Sequence, residues 1–144
     1  MRFVFLSFII IASDYFSKCY IKSVMAEGMS MPVVDGVFHI TYVLNPGAAF
    51  GLLPNQRALF IAAAVLLLAF LLGLLKYVKK QPLCLQTGAS LIAGGAMGNL
   101  IDRIRMGEVV DFLDFRVWPV FNIADAAICI GAGCVLWSMM KNKE

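Results

Sequence analysis

The chain has 144 residues, of which 61% are hydrophobic and 15% are charged, and its mean hydropathy is +0.85. Soluble domains contain roughly 45 to 50% apolar residues, so this composition predicts a single integral membrane domain over residues 1–144. The net charge of +3 is small and scattered, unlike the footprint of a nucleic-acid-binding protein. Nucleic acid is therefore excluded as an expected partner.

Four apolar stretches predict an all-α membrane protein with four transmembrane helices. They cover about residues 3–24, 58–78, 83–104 and 119–140, and each is close to the roughly 20 residues that cross a bilayer. The first stretch also fits a cleavable signal, because Arg2 precedes it. Since no small-x-small cleavage site follows, we expect this segment to be a retained span.

Lysine and arginine residues at the ends of these stretches predict the orientation, because cytoplasmic loops carry an excess of both. The larger group lies on the side of both termini, which we place in the cytoplasm: Arg2, Lys76, Lys79, Lys80, Lys141 and Lys143. The smaller group lies on the opposite side: Lys22, Arg57, Arg105 and Arg116. Residues 25–57 and 105–118 are then expected to face outward.

The first outward segment predicts a small extracytoplasmic β-sheet between the first two spans. An Asp-Gly turn at 35–36 separates residues 31–34 from residues 37–44, and the second run is rich in β-branched and aromatic residues. Asn-Pro-Gly at 45–47 ends the strand. Phe50, in the small-residue stretch that follows, is either an interfacial anchor in an ordinary loop or part of a lid over a polar site.

Seven polar residues lie within or beside the apolar stretches and, at the helical rise, collect near the outer membrane interface. Ionisable groups at such depth are costly and usually mark an ion pathway, a proton relay or a catalytic site. Three pairs are three or four positions apart and are expected to share a helix face, namely Asp14 with Lys18, Asn99 with Arg103, and Asn122 with Asp125. Such pairs can also simply stabilise a bundle. The seven are Asp14, Lys18, Asn99, Arg103, Asp111, Asn122 and Asp125.

The third span contains a small-xxx-small pair, Gly94 and Gly98. Glycines at this spacing let the backbone of a second helix approach closely. We therefore expect the neighbouring residue Asn99 to be carried toward another helix.

The residue inventory excludes several catalytic mechanisms. His39 is the only histidine, so the chain has no H-E-x-x-H zinc site and no histidine base for a nucleophile. A Ser-Lys pair through Lys18 or Lys22 remains open, but it leaves the aspartates without a role. Neither a metal nor another cofactor is expected. The cysteines show no ligand spacing and are interpreted as packing residues: Cys19, Cys84, Cys129 and Cys134.

A pair of carboxylates remains as the candidate catalytic group. Asp111 follows the third span and Asp125 enters the fourth from the same side, so a short loop can bring them together. Two neighbouring carboxylates do not both ionise readily, so the charged one can deprotonate water while the neutral one polarises a carbonyl. Periodicity alone does not select this pair, because Asp102 and Asp114 lie nearby.

Five motifs, in this order, resemble those of bacterial lipoprotein signal peptidase, or signal peptidase II. They are D-Y-F-S-K at 14–18, N-P-G-A-A-F-G at 45–51, G-G-A-M-G-N-L-I-D-R at 94–103, V-V-D-F at 109–112 and F-N-I-A-D at 121–125. The resemblance covers nearly the whole chain. Each motif is weak alone, but five in order on a scaffold of this size are specific.

The resemblance implies an intramembrane aspartic endopeptidase of the bacterial cytoplasmic membrane, with its active site near the outer leaflet. Its substrates would be diacylglyceryl-modified prolipoproteins, which are cut on the N-terminal side of the modified cysteine. Membrane lipids would surround the enzyme, and globomycin would inhibit it. Asp111 and Asp125 fall on the family's catalytic pair, and Asp14 and Lys18 on a supporting motif. The residues implied in substrate binding are Asn45, Gly47, Phe50, Asn99, Arg103 and Asn122.

Two other classes of protein also place polar residues in membranes. A small proton-coupled transporter uses membrane carboxylates, but it usually shows internal repeats and broken helices, and the sequence shows neither. A non-catalytic assembly subunit accounts for small-residue helix faces but not for two aspartates backed by asparagines and arginine.

Overall fold

A computed structural model describes residues 2–47 and 53–141 of the chain. The described residues form five helices and three strands. The helices are α1 (Arg2–Val24), α2 (Arg57–Gly73), α3 (Leu75–Val78), α4 (Leu83–Arg105) and α5 (Ile123–Lys141). The strands are β1 (Ser30–Val34), β2 (Phe38–Asn45) and β3 (Val109–Asp114).

Two of these helices, α1 and α5, are long and apolar enough to cross a membrane by length and composition. Helix α2 is apolar but has 17 residues, and it ends where Leu74 interrupts the expected span 58–78 before the short helix α3. Helix α4 has 23 residues, and its glycines and polar residues make it less apolar. The number of membrane crossings thus stays a prediction from the sequence.

Helix α4 is the centre of the bundle and packs against α1, α2 and α5. The prediction that Gly94 and Gly98 admit another helix is confirmed, since a Cβ atom at Gly94 would lie 2.9 Å from the carbonyl oxygen of Ser7, and one at Gly98 would lie 2.6 Å from Oδ2 of Asp14. Both neighbours belong to α1. The small side of α4 therefore brings α1 and α4 together at the level of Asp14.

The predicted hairpin is present as β1 and β2, which pair antiparallel. The sheet also has a third strand, β3, which lies between α4 and α5 in the chain and pairs antiparallel with β2. This strand was not predicted from the sequence, in which Asp111 was expected at the outer end of the third span. Its apolar residues Val110 and Phe112 pack with Ile21, Met25 and Tyr42 in a core that joins the sheet to the end of α1.

The fourth long helix begins at Ile123 rather than at the expected residue 119. The reason is that Phe121 still pairs with the sheet, since its backbone N–H donates to the carbonyl oxygen of Leu113 at 3.1 Å and its own carbonyl accepts from the N–H of Leu113 at 2.8 Å. The chain therefore leaves the sheet immediately before it enters α5. This places the start of α5 beside β3.

Candidate active site

Asp111 is a buried carboxylate in the middle of strand β3. Its register partner across the sheet is Val43. Two side-chain amides donate to its oxygens, Nδ2 of Asn45 to Oδ2 at 2.9 Å and Nδ2 of Asn122 to Oδ1 at 2.7 Å. Strand β2 and the segment before α5 thus hold one oxygen each, which fixes the orientation of the carboxylate.

Asp125 lies in the first turn of α5, where it forms a reciprocal capping arrangement with Asn122. The backbone N–H of Asp125 donates to Oδ1 of Asn122 at 2.9 Å, and the N–H of Asn122 donates to Oδ2 of Asp125 at 3.3 Å. This is the geometry of a capping box, in which residues three apart satisfy each other's free amides. The expectation that Asn122 and Asp125 are neighbours is confirmed, although Asn122 caps α5 instead of lying on its face.

Asn122 connects the two carboxylates. Its side chain is 0% exposed, and its Nδ2 donates both to Asp111 and to Oδ1 of Asn99, at 2.7 and 3.1 Å. Nδ2 of Asn99 in turn donates to Oδ1 of Asp125 at 2.7 Å. The two asparagines therefore join Asp111 and Asp125 in one hydrogen-bonded cluster. These two aspartates are called the carboxylate pair.

An ion triad adjoins this pair through Asn99. The Nζ atom of Lys18 is 2.7 Å from Oδ2 of Asp14 and 2.8 Å from Oδ2 of Asp102, and it donates to Oδ1 of Asn99 at 3.0 Å. The expected helical pair of Asp14 and Lys18 is confirmed. Lys18 is only 3% exposed, because α4 covers it and supplies Asp102.

Asp14 also reaches the start of α5, because its Oδ1 accepts the backbone N–H of Ala124 at 3.0 Å. The first amides of a helix have no partner within the helix, so a carboxylate there satisfies a free donor. Helices α1 and α5 are thereby joined at the level of the carboxylate pair.

Arg103 forms the other side of the site. Its Nη2 donates to the carbonyl oxygen of Gly47 at 3.0 Å, and its guanidinium lies 4.7 Å from the ring centre of Phe60. The N–H of Gly47 donates to Oδ1 of Asn45 at 2.9 Å, so Arg103 and Asn45 together fix the chain after β2. Phe50, the expected lid residue, lies outside the described residues.

The electrostatics distinguish Asp111 from an ordinary carboxyl. Burial, followed by the neighbouring charge of Asp125, raises the pKa of Asp111 to about 7, against the opposing effects of hydrogen bonds from Asn45 and Asn122 and of the Lys18 charge. A carboxyl group that is neutral near pH 7 can donate a hydrogen bond to a carbonyl oxygen. Asp111 can thus carry a proton, and donate a hydrogen bond, near neutral pH.

The described residues include no group of three His, Cys, Asp or Glu side chains that could hold a metal ion. His39 lies in β2 opposite Asp114, where its Nδ1 is 3.2 Å from Oγ of Ser30. Cys84 and Cys134 are partly buried, whereas Cys19 and Cys129 are exposed. None of these side chains belongs to the cluster around the carboxylate pair.

The structure brings together all of the described residues that the sequence singled out for the site. The sequence did not predict the contact of Asp102 with Lys18. Phe50, which the sequence singled out, is not among the described residues. Helix spacing placed Asp102 near the site but gave no indication of its partner. A buried, polar cluster at the junction of three helices and a small sheet defines the class as a helical membrane protein with a two-carboxylate site.

Comparison with known proteins identifies the family. The sequence profile of signal peptidase (SPase) II matches residues 6–141. The lipoprotein signal peptidase of Pelotomaculum thermopropionicum is 46% identical over 94% of this chain and 90% of its own length. That of Halothermothrix orenii is 49% identical over 92% of this chain and 93% of its own. The chain belongs to the signal peptidase II family and is a peptidase.

The fold agrees with this assignment. A bacterial membrane enzyme whose structure was determined by the in meso method at 2.3 Å resolution superposes with a TM-score of 0.92. It shares 31% sequence identity and is matched over 99% of this chain and 90% of its own. A second bacterial membrane enzyme, determined at 1.9 Å, gives a TM-score of 0.86 at 32% identity over 97% of this chain and 93% of its own. The chain is thus similar throughout its length to membrane enzymes.

Proposed function

We propose that this protein is an aspartic endopeptidase that removes the signal peptide from prolipoproteins on the N-terminal side of the diacylglyceryl-modified cysteine. One observation carries the mechanism: Asp111 and Asp125 come from different elements and are both held by Asn122. Because Asn122 binds both carboxylates, Asp111 through its side-chain Nδ2 and Asp125 through its backbone N–H, a single water molecule and a single peptide bond can meet both. Membership of the signal peptidase II family indicates the reaction, which is hydrolysis of a peptide bond.

In the proposed step, Asp111 is neutral and Asp125 is charged. Asp125 takes a proton from water, the water oxygen attacks the scissile carbonyl carbon, and Asp111 donates a hydrogen bond to the carbonyl oxygen. The resulting tetrahedral intermediate collapses as the C–N bond breaks and Asp125 returns its proton to the leaving amine. The products are a free carboxylate on the signal peptide and a free amine on the modified cysteine.

The surrounding polar residues have separate tasks in this proposal. Asn99 and Asn122 hold the carboxylates with their amide groups, as described above. Asn45 and Gly47 line the approach from the sheet, and Arg103 keeps that approach in place through its bond to Gly47. The carbonyl oxygens of a substrate peptide can accept hydrogen bonds from these polar groups. The positive charge of Arg103 would strengthen such a hydrogen bond.

The proposed location follows from the same arrangement. We place the protein in the bacterial cytoplasmic membrane with four spans, α1, α2 continued by α3, α4 and α5, and with both termini in the cytoplasm. The carboxylate pair then lies where α1 and α4 end and α5 begins, near the outer leaflet. A lipidated cysteine stays in that leaflet, so its acyl chains would set the position of the scissile bond.

A purified sample in detergent tests this proposal. A peptide with a diacylglyceryl-modified cysteine and the same peptide without the lipid are the substrate and its matched control. We expect cleavage of the lipidated peptide alone, with a product that begins at the modified cysteine by mass spectrometry, and inhibition by globomycin. A product cut elsewhere, or equal cleavage of both peptides, contradicts the proposed specificity. Proton flux in liposomes without any cleavage would favour a transporter instead.

A further inference from the structure

The carboxylate of Asp102 has no part in the proposed cleavage step, yet it is buried where three elements meet. Its Oδ2 atom lies 2.8 Å from Nζ of Lys18 and accepts the backbone N–H of Val110 at 3.4 Å. Helices α1 and α4 and strand β3 thus converge on one oxygen atom. A charge buried in this way is costly unless its partners repay the desolvation, so the contacts are expected to be specific ones.

The Lys18 ammonium has three N–H donors, and each has one acceptor. Two are carboxylate oxygens, at 2.7 Å on Asp14 and at 2.8 Å on Asp102. The third is Oδ1 of Asn99, at 3.0 Å. Because the two carboxylates fix the orientation of the ammonium, they also fix the direction of the third N–H bond, which donates a hydrogen bond to Asn99.

This third contact orients the Asn99 amide together with Nδ2 of Asn122, which donates to the same oxygen at 3.1 Å. With its oxygen toward Lys18, its Nδ2 is directed at Oδ1 of Asp125, 2.7 Å away. Rotation of the amide by half a turn would place its oxygen against the Asp125 carboxylate and its NH₂ group against the ammonium. Both contacts would be repulsive. The ion triad therefore holds Asn99 in the orientation that binds Asp125.

A second path leads from Asp102 to the other carboxylate. Val110 is 0% exposed and precedes Asp111 in β3. Its N–H is bound to Asp102, and its carbonyl oxygen accepts Nδ2 of Asn122 at 3.3 Å. The backbone next to Asp111 is thus anchored on both sides of Val110.

We propose that Asp102 is a positioning residue that couples the two halves of the carboxylate pair. It acts on Asp125 through Lys18 and Asn99, and on Asp111 through the backbone of Val110. The kinetic consequence rests on the proposed function, whereas the orientation of Asn99 can be measured without any cleavage.

The kinetic test compares Asp102→Ala with Asp102→Asn, which keeps the side-chain shape and one acceptor oxygen. We expect Asp102→Ala to lower kcat about 100-fold, the effect of misplacing a reacting group by about 1 Å, with KM changed less than about twofold. Asp102→Asn should lower kcat less than Asp102→Ala does. Asp35→Asn, in the exposed turn between β1 and β2, is the matched control and should retain activity. A loss expressed in KM alone overturns the proposal.

A double-mutant cycle tests the path through Asn99. If Asp102 acts through it, the combination Asn99→Ala/Asp102→Ala should be at least about fivefold more active than the product of the two single losses predicts. Losses that simply multiply would show that the two residues act independently and would overturn this path.

The structural test uses the side-chain amide NMR signals of ¹⁵N-labelled protein in micelles, with the Asn99 signal assigned through Asn99→Ala. We expect Asp102→Asn to shift this signal and Asp35→Asn to leave it in place. An unshifted signal overturns the proposal. Since Asp102→Asn preserves the pair of Lys18 and Asp14, this arm serves even if Asp102→Ala does not fold. Failure of the wild-type protein to cleave would instead overturn the proposed function.

Discussion

The side-chain amide of Asn99 donates a 2.7 Å hydrogen bond to Oδ1 of Asp125, although the two residues lie 26 positions apart on separate helices. Oδ2 of the same carboxylate accepts the backbone N–H of Asn122 at 3.3 Å. Both oxygens of Asp125 are therefore held from different directions. This orientation leaves a carboxylate that is rigid relative to Asp111, as a reaction with a single water molecule requires.

The raised pKa of Asp111 predicts a pH dependence of cleavage. Burial, then the charge of Asp125, raises this pKa from 3.8 to about 7, so the neutral form that the mechanism needs persists below about pH 7 and is lost above it. The free energy of unfolding changes in the same direction as the activity. The contribution of neutral Asp111 to it is complete below pH 3.8 and is lost as the pH rises through about 7. We expect kcat to fall as the pH rises through that range. Activity that still increases well above it contradicts the assignment.

Asn45 provides a directed test of the same assignment. Its hydrogen bond to Oδ2 of Asp111 favours the charged form and lowers the pKa of that group. Asn45→Ala removes this effect, so the fall in kcat should move to higher pH. The measurement is kcat against pH for both proteins, with Asp35→Asn as a control of unchanged profile. A shift to lower pH would show that another group titrates.

The close crossing of α4 and α5 predicts a packing effect. A Cβ atom at Gly88 would lie 2.6 Å from the carbonyl oxygen of Gly131, whereas one at Gly133 would have no neighbour within 4 Å. Gly88→Ala should therefore destabilise the fold by about 1 to 3 kcal/mol, the usual cost of overpacking. Gly133→Ala should be neutral or slightly stabilising. Thermal unfolding in one detergent compares the two, and equal midpoints would contradict the close approach.

The absence of a thiol or metal from the proposed chemistry predicts resistance to the corresponding reagents. A variant with alanine at all four cysteines should retain cleavage, with some loss of stability, because the partly buried Cys84 donates to the carbonyl oxygen of Cys134 at 3.4 Å. Cleavage should also persist in EDTA. Inactivation by EDTA that zinc reverses would replace the aspartate mechanism with a metal-dependent one.

The sequence was sufficient to predict contacts within an element and insufficient for several between elements. Spacing of three and four residues predicted the contacts of Asn122 with Asp125 and of Asp14 with Lys18, because local geometry decides contacts within a helix and across its N-terminal cap. It did not reveal that Asp102 completes the ion triad, since that contact depends on how α4 is rotated against α1.

The third strand was missed for a related physical reason. Residues 109–114 form a short apolar run that becomes a strand by pairing with β2, far away in the chain. No local pattern contains the identity of such a partner. The contact of Asn45 with Asp111 depends on this pairing, so the sequence indicated its chemistry only through the family resemblance.

The central claim is that Asp111 and Asp125 together activate water, and the release of signal peptide from a diacylglyceryl-modified peptide measures it most directly. Asp111→Asn and Asp125→Asn should each lower kcat by about 100- to 10,000-fold while the protein stays folded, because an amide cannot exchange the required proton. Asp114→Asn, whose carboxylate is bound to Thr41 and Arg116 instead, should remain active. Near wild-type release by either variant of the pair would contradict the account.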